Sequence, residues 1–247
     1  MVQIHWTFRS PVESDRLREN MEHNHTTGWP GVGQSWPLHD HVAVVGGSHS
    51  VADVIDELRA FDGDIWAVNG AANWLSQHGI DAALFSIDPH PVLADVAHGP
   101  RRALLATQCD PSVFAALVPE AKVEAFDCGP GAIEHGTTTA TAAPSLALVR
   151  GVKRMTFYGC AASYAGGSHV YKDIRDGSIE VMAGGRSYLT NPAFLKQSEF
   201  LAELIREAPG VFAERSGGLL AALVADPSYD IVAASRSIHE GLTWLSR

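Results

Sequence analysis

The chain has 247 residues, 46% of them hydrophobic and 19% charged, the balance of a packed globular protein large enough for one sizeable α/β domain. Its 18 basic and 28 acidic side chains leave a net charge of −10, which argues against a broad nucleic-acid surface. Three cysteines, Cys109, Cys128 and Cys160, lie far apart with no CxxC pair, so neither a disulfide framework nor a structural zinc site is expected. Met1–Trp6 lacks the basic start and apolar core of a signal peptide, and no apolar run approaches the roughly 20 residues that span a bilayer. A cytoplasmic protein without membrane contact is the expectation.

Residues 1–40 are polar and charged, carry Trp29-Pro30-Gly31 and Trp36-Pro37, and show no sustained hydrophobic period. They read as an arm that packs through its tryptophans on the main domain or a second subunit; a homo-oligomer is compatible with this. His23, His25, His39 and His41 have no acidic or Cys partners at ligand spacing, so no metal site is assigned to them.

The order becomes regular at Val42-Ala43-Val44-Val45-Gly46-Gly47-Ser48. A β-branched run stops at two glycines and a hydroxyl, as a buried parallel strand does when it turns into a helix. Ser48 or Ser50 can cap the helix expected over about 51–61, and the free N–H groups of such a helix start favour a phosphate. Strands are expected at 64–68, 82–87, 102–106, 121–126, 153–158 and 211–213. Helices are expected at about 71–78, from Pro111, at 139–150, from Pro192 to about Glu207, and at 219–224. Alternation at this spacing predicts a Rossmann-like α/β fold, a mainly parallel sheet with helices on both faces. After Gly159 the pattern changes, and the segment from Tyr164 to Tyr188 is rich in glycine and polar residues. It reads as a lid-like insertion, with a hairpin around Asp176-Gly177. The divisions are an arm over 1–40, a core over 41–225 and a C-terminal helical tail over 226–247.

Ligands of an open parallel sheet bind beyond the carboxyl ends of its strands. Gly46, Gly47 and Ser48 follow the first strand, Asn69 and Gly70 the second, Asp88 the third; Thr137 and Thr138 open the long helix, and Gly159, Ser163, Tyr164 and His169 follow the sixth strand. Side-chain chemistry suggests roles. The glycines and Ser48 cradle a phosphate; Asn69 reads a base or ribose edge; Asp88 holds a ribose hydroxyl, holds a metal or acts as a base. Thr137 and Thr138 take a second phosphate or a carboxylate. His169 is the candidate general base, with Tyr164 assisting. Turns and caps attract the same residue types, which is the competing explanation for each position.

Several of these stretches resemble the DUF115 domain, also named the 6-hydroxymethylpterin diphosphokinase MptE-like family. They are Val44-Val45-Gly46-Gly47-Ser48-His49-Ser50, Ala67-Val68-Asn69-Gly70-Ala71, Ser86-Ile87-Asp88-Pro89, Gly136-Thr137-Thr138-Thr139-Ala140-Thr141, Tyr158-Gly159, Tyr164-Ala165-Gly166-Gly167-Ser168-His169 and Ser216-Gly217-Gly218-Leu219. The family includes archaeal pterin diphosphokinases and motility accessory factors proposed to glycosylate flagellin, and its layout is similar to that of bacterial sialyltransferases. The resemblance implies a nucleotide-dependent transferase acting on a small-molecule nucleotide and an unidentified acceptor. A glycosyltransferase-like enzyme with a CMP-linked sugar donor is the first reading, and an ATP-dependent diphosphokinase is the alternative. The diphosphokinases carry paired aspartates where this chain has Ser86-Ile87-Asp88-Pro89-His90 with one acid, so Mg²⁺ is compatible with the site but not required. Ala161 stands where the family has an acid, which keeps a non-catalytic nucleotide-binding or assembly protein as a third reading.

Overall fold

The computed structural model describes residues 12–129, 133, 136–164 and 178–234. Its centre is a seven-stranded parallel sheet built from β1 (His41–Val45), β2 (Asp64–Val68), β3 (Ala83–Ser86), β4 (Arg102–Ala106), β5 (Lys122–Phe126), β6 (Arg154–Tyr158) and an edge strand at Phe212–Arg215. The order across the sheet is β5-β4-β3-β2-β1-β6, followed by that edge strand. Every pairing is parallel. Covered on both faces, the inner strands need apolar residues at nearly every position, and Val42–Val45, Trp66, Phe85, Leu104, Leu105 and Phe157 are buried accordingly. The α/β, Rossmann-like expectation therefore holds, with strand bounds within about two residues of those read from the sequence.

Four differences matter. The segment after β1 begins as a 3-10 turn at His49–Val54 and becomes α-helical only over α2 (Ile55–Arg59). Ser48 holds its N-cap position but makes no side-chain cap bond. Ahead of the sheet, the chain forms a 14-residue helix, α1 (Ser14–Thr27), where no period is visible. Its buried residues are polar: Asn20 Nδ2 donates to Gln108 O, and Asn24 Nδ2 donates to both Thr107 O and Cys109 O, all just beyond β4. These bonds satisfy carbonyls at the strand end, so the helix docks by hydrogen bonding and not by an apolar stripe. After α1, Trp29 stacks on Phe114 of α4 (Pro111–Ala115) at 5.2 Å between ring centroids.

The third difference is a small antiparallel sheet. Strands β7 (Ile179–Ala183) and β8 (Arg186–Thr190) form a hairpin turning at Gly184-Gly185, whose φ values of 55° and 72° suit a type I′ turn. Asp176-Gly177, the turn expected from the sequence, lies outside the described residues. The fourth is at the C-terminus. Tyr229–Ala234 is a strand paired antiparallel to β7, so the helical tail expected over 226–247 does not begin there, and the rest of it lies outside the described residues.

Between the hairpin and that last strand, α6 (Pro192–Glu207) starts with Asn191 Oδ1 accepting from Phe194 N at 2.8 Å and Pro192 in its first turn. It buries Leu195, Leu201 and Ile205, while Phe200 is exposed. The other long helix of this half, α5 (Thr139–Val149), has no charged residue and is buried along most of its length, as an element sandwiched inside a fold must be.

One buried ion pair ties the N-terminal segment to the sheet. Glu124, in β5 and 0% exposed, accepts from Gly33 N at 2.9 Å, from Ser35 N at 2.7 Å and from Arg150 Nη1. Arg150 Nη2 also donates to Trp36 O, and the guanidinium sits 5.9 Å from the centre of the Trp36 ring.

Candidate functional site

From β1 the strands run outward through β2 to β5, and the chain then returns to place β6 on the other side of β1. This reversal opens a crevice at the carboxyl ends of β1 and β6, the place where such sheets bind ligands. Gly46 and Gly159 form the junction of the two strand ends. A Cβ on Gly46 would lie 2.5 Å from Gly159 O, and a Cβ on Gly159 2.5 Å from Gly46 O, so only glycine allows the backbones to approach this closely.

A cavity of about 100 Å³ lies in this crevice. Of the residues expected at the strand ends, Gly46, Gly47, Ser48, Asn69, Thr138 and Gly159 line it together. Four others stand back, Asp88 among them. Gly70 is the residue before helix α3 (Ala71–Gln77). Thr137 donates its hydroxyl to Ala193 O at 3.0 Å, tying the start of α5 to the start of α6. Tyr164 is buried beside Phe194, and Asn191 Nδ2 donates to its hydroxyl at 2.5 Å. His169 lies outside the described residues. The cavity takes in Ser163, another of the strand-end residues, and also Phe194 and Gln197, which the strand-end reading leaves out of the site. Gln197 had a signal in the sequence: it shares the helical stripe of Phe194 and Leu201, where a polar residue is out of place.

The lining is neutral and rich in donors. None of its described residues carries a charge. Asn69 Oδ1 accepts from Ser86 Oγ at 2.8 Å and from Thr139 Oγ1 at 3.4 Å. Asp88 N donates to Ser86 Oγ, so that hydroxyl turns its hydrogen to Asn69 and the Asn69 Nδ2 amide is left for the cavity. Gln197 repeats the arrangement, with Oε1 accepting from Thr138 Oγ1 at 2.7 Å. Helix α5 points its N-terminus at the same space, with Thr138, Thr139 and Ala140 in the wall. Apart from Thr141 N, which donates to Thr138 O, its first N–H groups have no helical acceptors, and they carry the positive end of the helix dipole. The β1 turn contributes less than its glycines suggest: Gly46 N donates to Tyr158 O and Ser48 N to Gly159 O, which leaves Gly47 N. Ser163 is 6% exposed, and its hydroxyl is buried without a hydrogen-bond partner. Asn69 and Ala162, the two non-glycine residues with positive φ among the described residues (50° and 53°), both line the cavity. Strain of this kind collects where a site holds its geometry against local preference. Burial pushes the Cys160 thiol up to about 12, so it enters the wall as a neutral group.

Asp88 lies past the end of β3, half-buried and outside the cavity wall, with Oδ1 accepting from His90 N at 3.0 Å. Burial raises its pKa above the ordinary carboxylate value, partly offset by the backbone bond from His90 and by the His90 side chain. An acid raised in this way costs stability wherever it is ionised. That cost is full at neutral pH and fades as pH falls through the raised value toward the ordinary one near ~4. Asp88→Asn keeps the acceptor for His90 N. It should therefore raise the melting temperature at pH 7, with a gain that shrinks on acidification; thermal melts across pH check this, and a gain independent of pH would exclude the cause given.

Among the described residues, no group of three or more His, Cys, Asp or Glu side chains is placed to hold a metal ion, and no helix is long and apolar enough to cross a membrane.

Parallel order, helices on both faces and a crevice at the strand-order reversal define a Rossmann-like α/β protein with a switch-point site. A solved structure described as a MAf glycosyltransferase from Magnetospirillum magneticum AMB-1 has a similar fold, with a TM-score of 0.57 and 18% sequence identity. The match covers 82% of this chain but only 37% of that structure's chain. No family model matches the sequence, and no curated protein matches it.

Proposed function

We propose that the chain is a nucleotide-dependent transferase of the glycosyltransferase-like kind, and that the crevice cavity receives a phosphate of a nucleotide-sugar donor. The observation that carries this reading is the donor-rich, uncharged wall: two side-chain amides with their oxygens already engaged, the N-terminus of α5 and one free backbone N–H face a single space. Such a wall stabilises an anion by oriented dipoles and needs no metal ion to do so. At about 100 Å³ the cavity has room for a phosphate group and not for a whole nucleotide, so the nucleoside lies along the open rim. The resemblance to the DUF115 and MptE-like sequences, and the fold shared with a glycosyltransferase, support a CMP-linked sugar as donor. Asp88, set back from the wall, is better suited to a ribose hydroxyl or an acceptor than to the phosphate.

A thermal-shift series with CMP, CDP, UDP, ATP and NAD, each in EDTA and in Mg²⁺, tests this. A cytidine nucleotide should stabilise the chain increasingly with concentration, by about 2.7 kcal/mol at a hundredfold excess over Kd, and EDTA should not reduce the effect. Stabilisation by ATP only with Mg²⁺, accompanied by AMP release, would replace the reading with diphosphokinase chemistry. No stabilisation by any nucleotide would reject it.

A further inference from the structure

The Ser216-Gly217-Gly218-Leu219 motif lies outside the cavity wall, and nothing in the transferase reading uses it. It follows the edge strand Phe212–Arg215 and opens α7 (Gly218–Ala225). Its neighbours place it directly behind the part of the wall that comes from the turn after β6.

Ser216 is 1% exposed. Its Oγ accepts from Cys160 N at 3.0 Å and donates to Phe157 O at 3.0 Å, so one hydroxyl spans the end of β6. Leu220 N donates to Ala161 O at 3.2 Å. A Cβ on Gly218 would lie 2.6 Å from Ser163 Oγ and 2.7 Å from Ala161 Cβ, so α7 reaches the turn only with glycine there. Cys160, Ala162 and Ser163 are cavity wall, and Ala162 holds a φ of 53°. A non-glycine residue keeps such a backbone only where its surroundings over-determine it. Thr190 Oγ1 adds to this by donating to Ala162 O at 2.6 Å. On the outer side, Glu214 Oε2 accepts from Ser216 N at 2.9 Å and from Gly217 N at 3.2 Å, which fixes the path of the motif itself.

Helix α7 also grips α6, on which it packs and whose Arg206 Nη1 donates to Leu223 O. Since α6 carries Phe194 and Gln197, one short helix ties together two parts of the wall that are far apart in the chain. We infer that Ser216 and Gly218 are positioning residues for the nucleotide site: they hold the Cys160–Ser163 turn at the separation from α6 at which the donor phosphate fits. This rests on the proposed transferase reading. Neither residue touches the ligand; both act through the turn. A purely structural role would differ in one respect: stability would fall, but the folded molecules would bind as before.

Isothermal titration with CDP, alongside thermal melts, on the wild type and on Ser216→Ala, Glu214→Ala and Arg215→Ala tests it. Ser216→Ala leaves Cys160 N without its acceptor. At a temperature where the variant is fully folded its Kd should rise roughly tenfold, because binding must then order the turn. Glu214 is partly exposed, so Glu214→Ala leaves the core packed, and it should raise Kd roughly threefold by loosening the motif. Arg215 adjoins the motif in sequence, but its side chain is 65% exposed and turned to Glu57, so Arg215→Ala should leave Kd unchanged. An unchanged Kd in both Ser216→Ala and Glu214→Ala, with or without a lower melting temperature, would overturn the inference and leave the nucleotide reading standing. An equal loss in Arg215→Ala would overturn it too. Failure of the wild type to bind CDP would remove both the inference and the donor reading beneath it.

Discussion

Arg150→Met should lower the free energy of unfolding by about 3–5 kcal/mol, because it strands the Glu124 carboxylate in the interior without its counter-ion. Glu124 is fully buried and Arg150 nearly so, so solvent screens neither charge. The carboxylate is the hub of the contact: Gly33 N, Ser35 N and Arg150 converge on it from two separate parts of the chain. Glu124→Leu combined with Arg150→Met should recover only part of the loss. The double change removes both charges, but the two backbone amides lose their acceptor. Urea unfolding at neutral pH measures this. A single-variant loss below about 1 kcal/mol, the range of exposed pairs, would show that the pair is solvated.

Asn69→Asp should reduce nucleotide affinity roughly two-hundredfold while leaving the fold intact. The side chain is isosteric, and a carboxylate still accepts from Ser86 Oγ and Thr139 Oγ1. Asp also tolerates the positive φ at this position better than most residues. What changes is the group facing the cavity: a donor becomes a negative charge. At about 5 Å from a phosphate, with an effective dielectric constant of about 20, the repulsion amounts to about 3 kcal/mol. Asn69→Gly separates charge from simple loss of the donor, since glycine keeps the backbone conformation; it should weaken binding roughly tenfold or less. Isothermal titration with CDP on the three proteins checks the order wild type, Gly, Asp. Equal affinities would remove Asn69 from the phosphate site.

Much of this architecture was legible because a parallel sheet writes itself plainly. Runs such as Val42–Val45 and Ile65–Val68 are apolar at every position, and each stops at glycine or asparagine where the chain must turn. Reading along the strand ends also grouped Gly46, Gly47, Ser48, Asn69, Thr138 and Gly159, since all parallel strands deliver their ends to one rim. What escaped is equally physical. Helix α1 shows no hydrophobic period because Asn20 and Asn24, one turn apart, make its buried contacts through amide hydrogens. Gln197 reaches the cavity from a helix nearly 60 residues after Thr138 in the chain, a contact that only packing reveals. The division of labour in the rim was also hidden. The glycines after β1 read as the phosphate cradle, yet two of the three backbone N–H groups there are spent on β6, and the free donors come from α5 and the amides.

A crystal of the chain soaked with CDP tests the central claim most directly. The account predicts a phosphate in the crevice between β1 and β6, within hydrogen-bond reach of Asn69 Nδ2, Gln197 Nε2 and the first N–H groups of α5. A nucleotide seated elsewhere on the molecule, or a phosphate held instead by charged side chains, would contradict it.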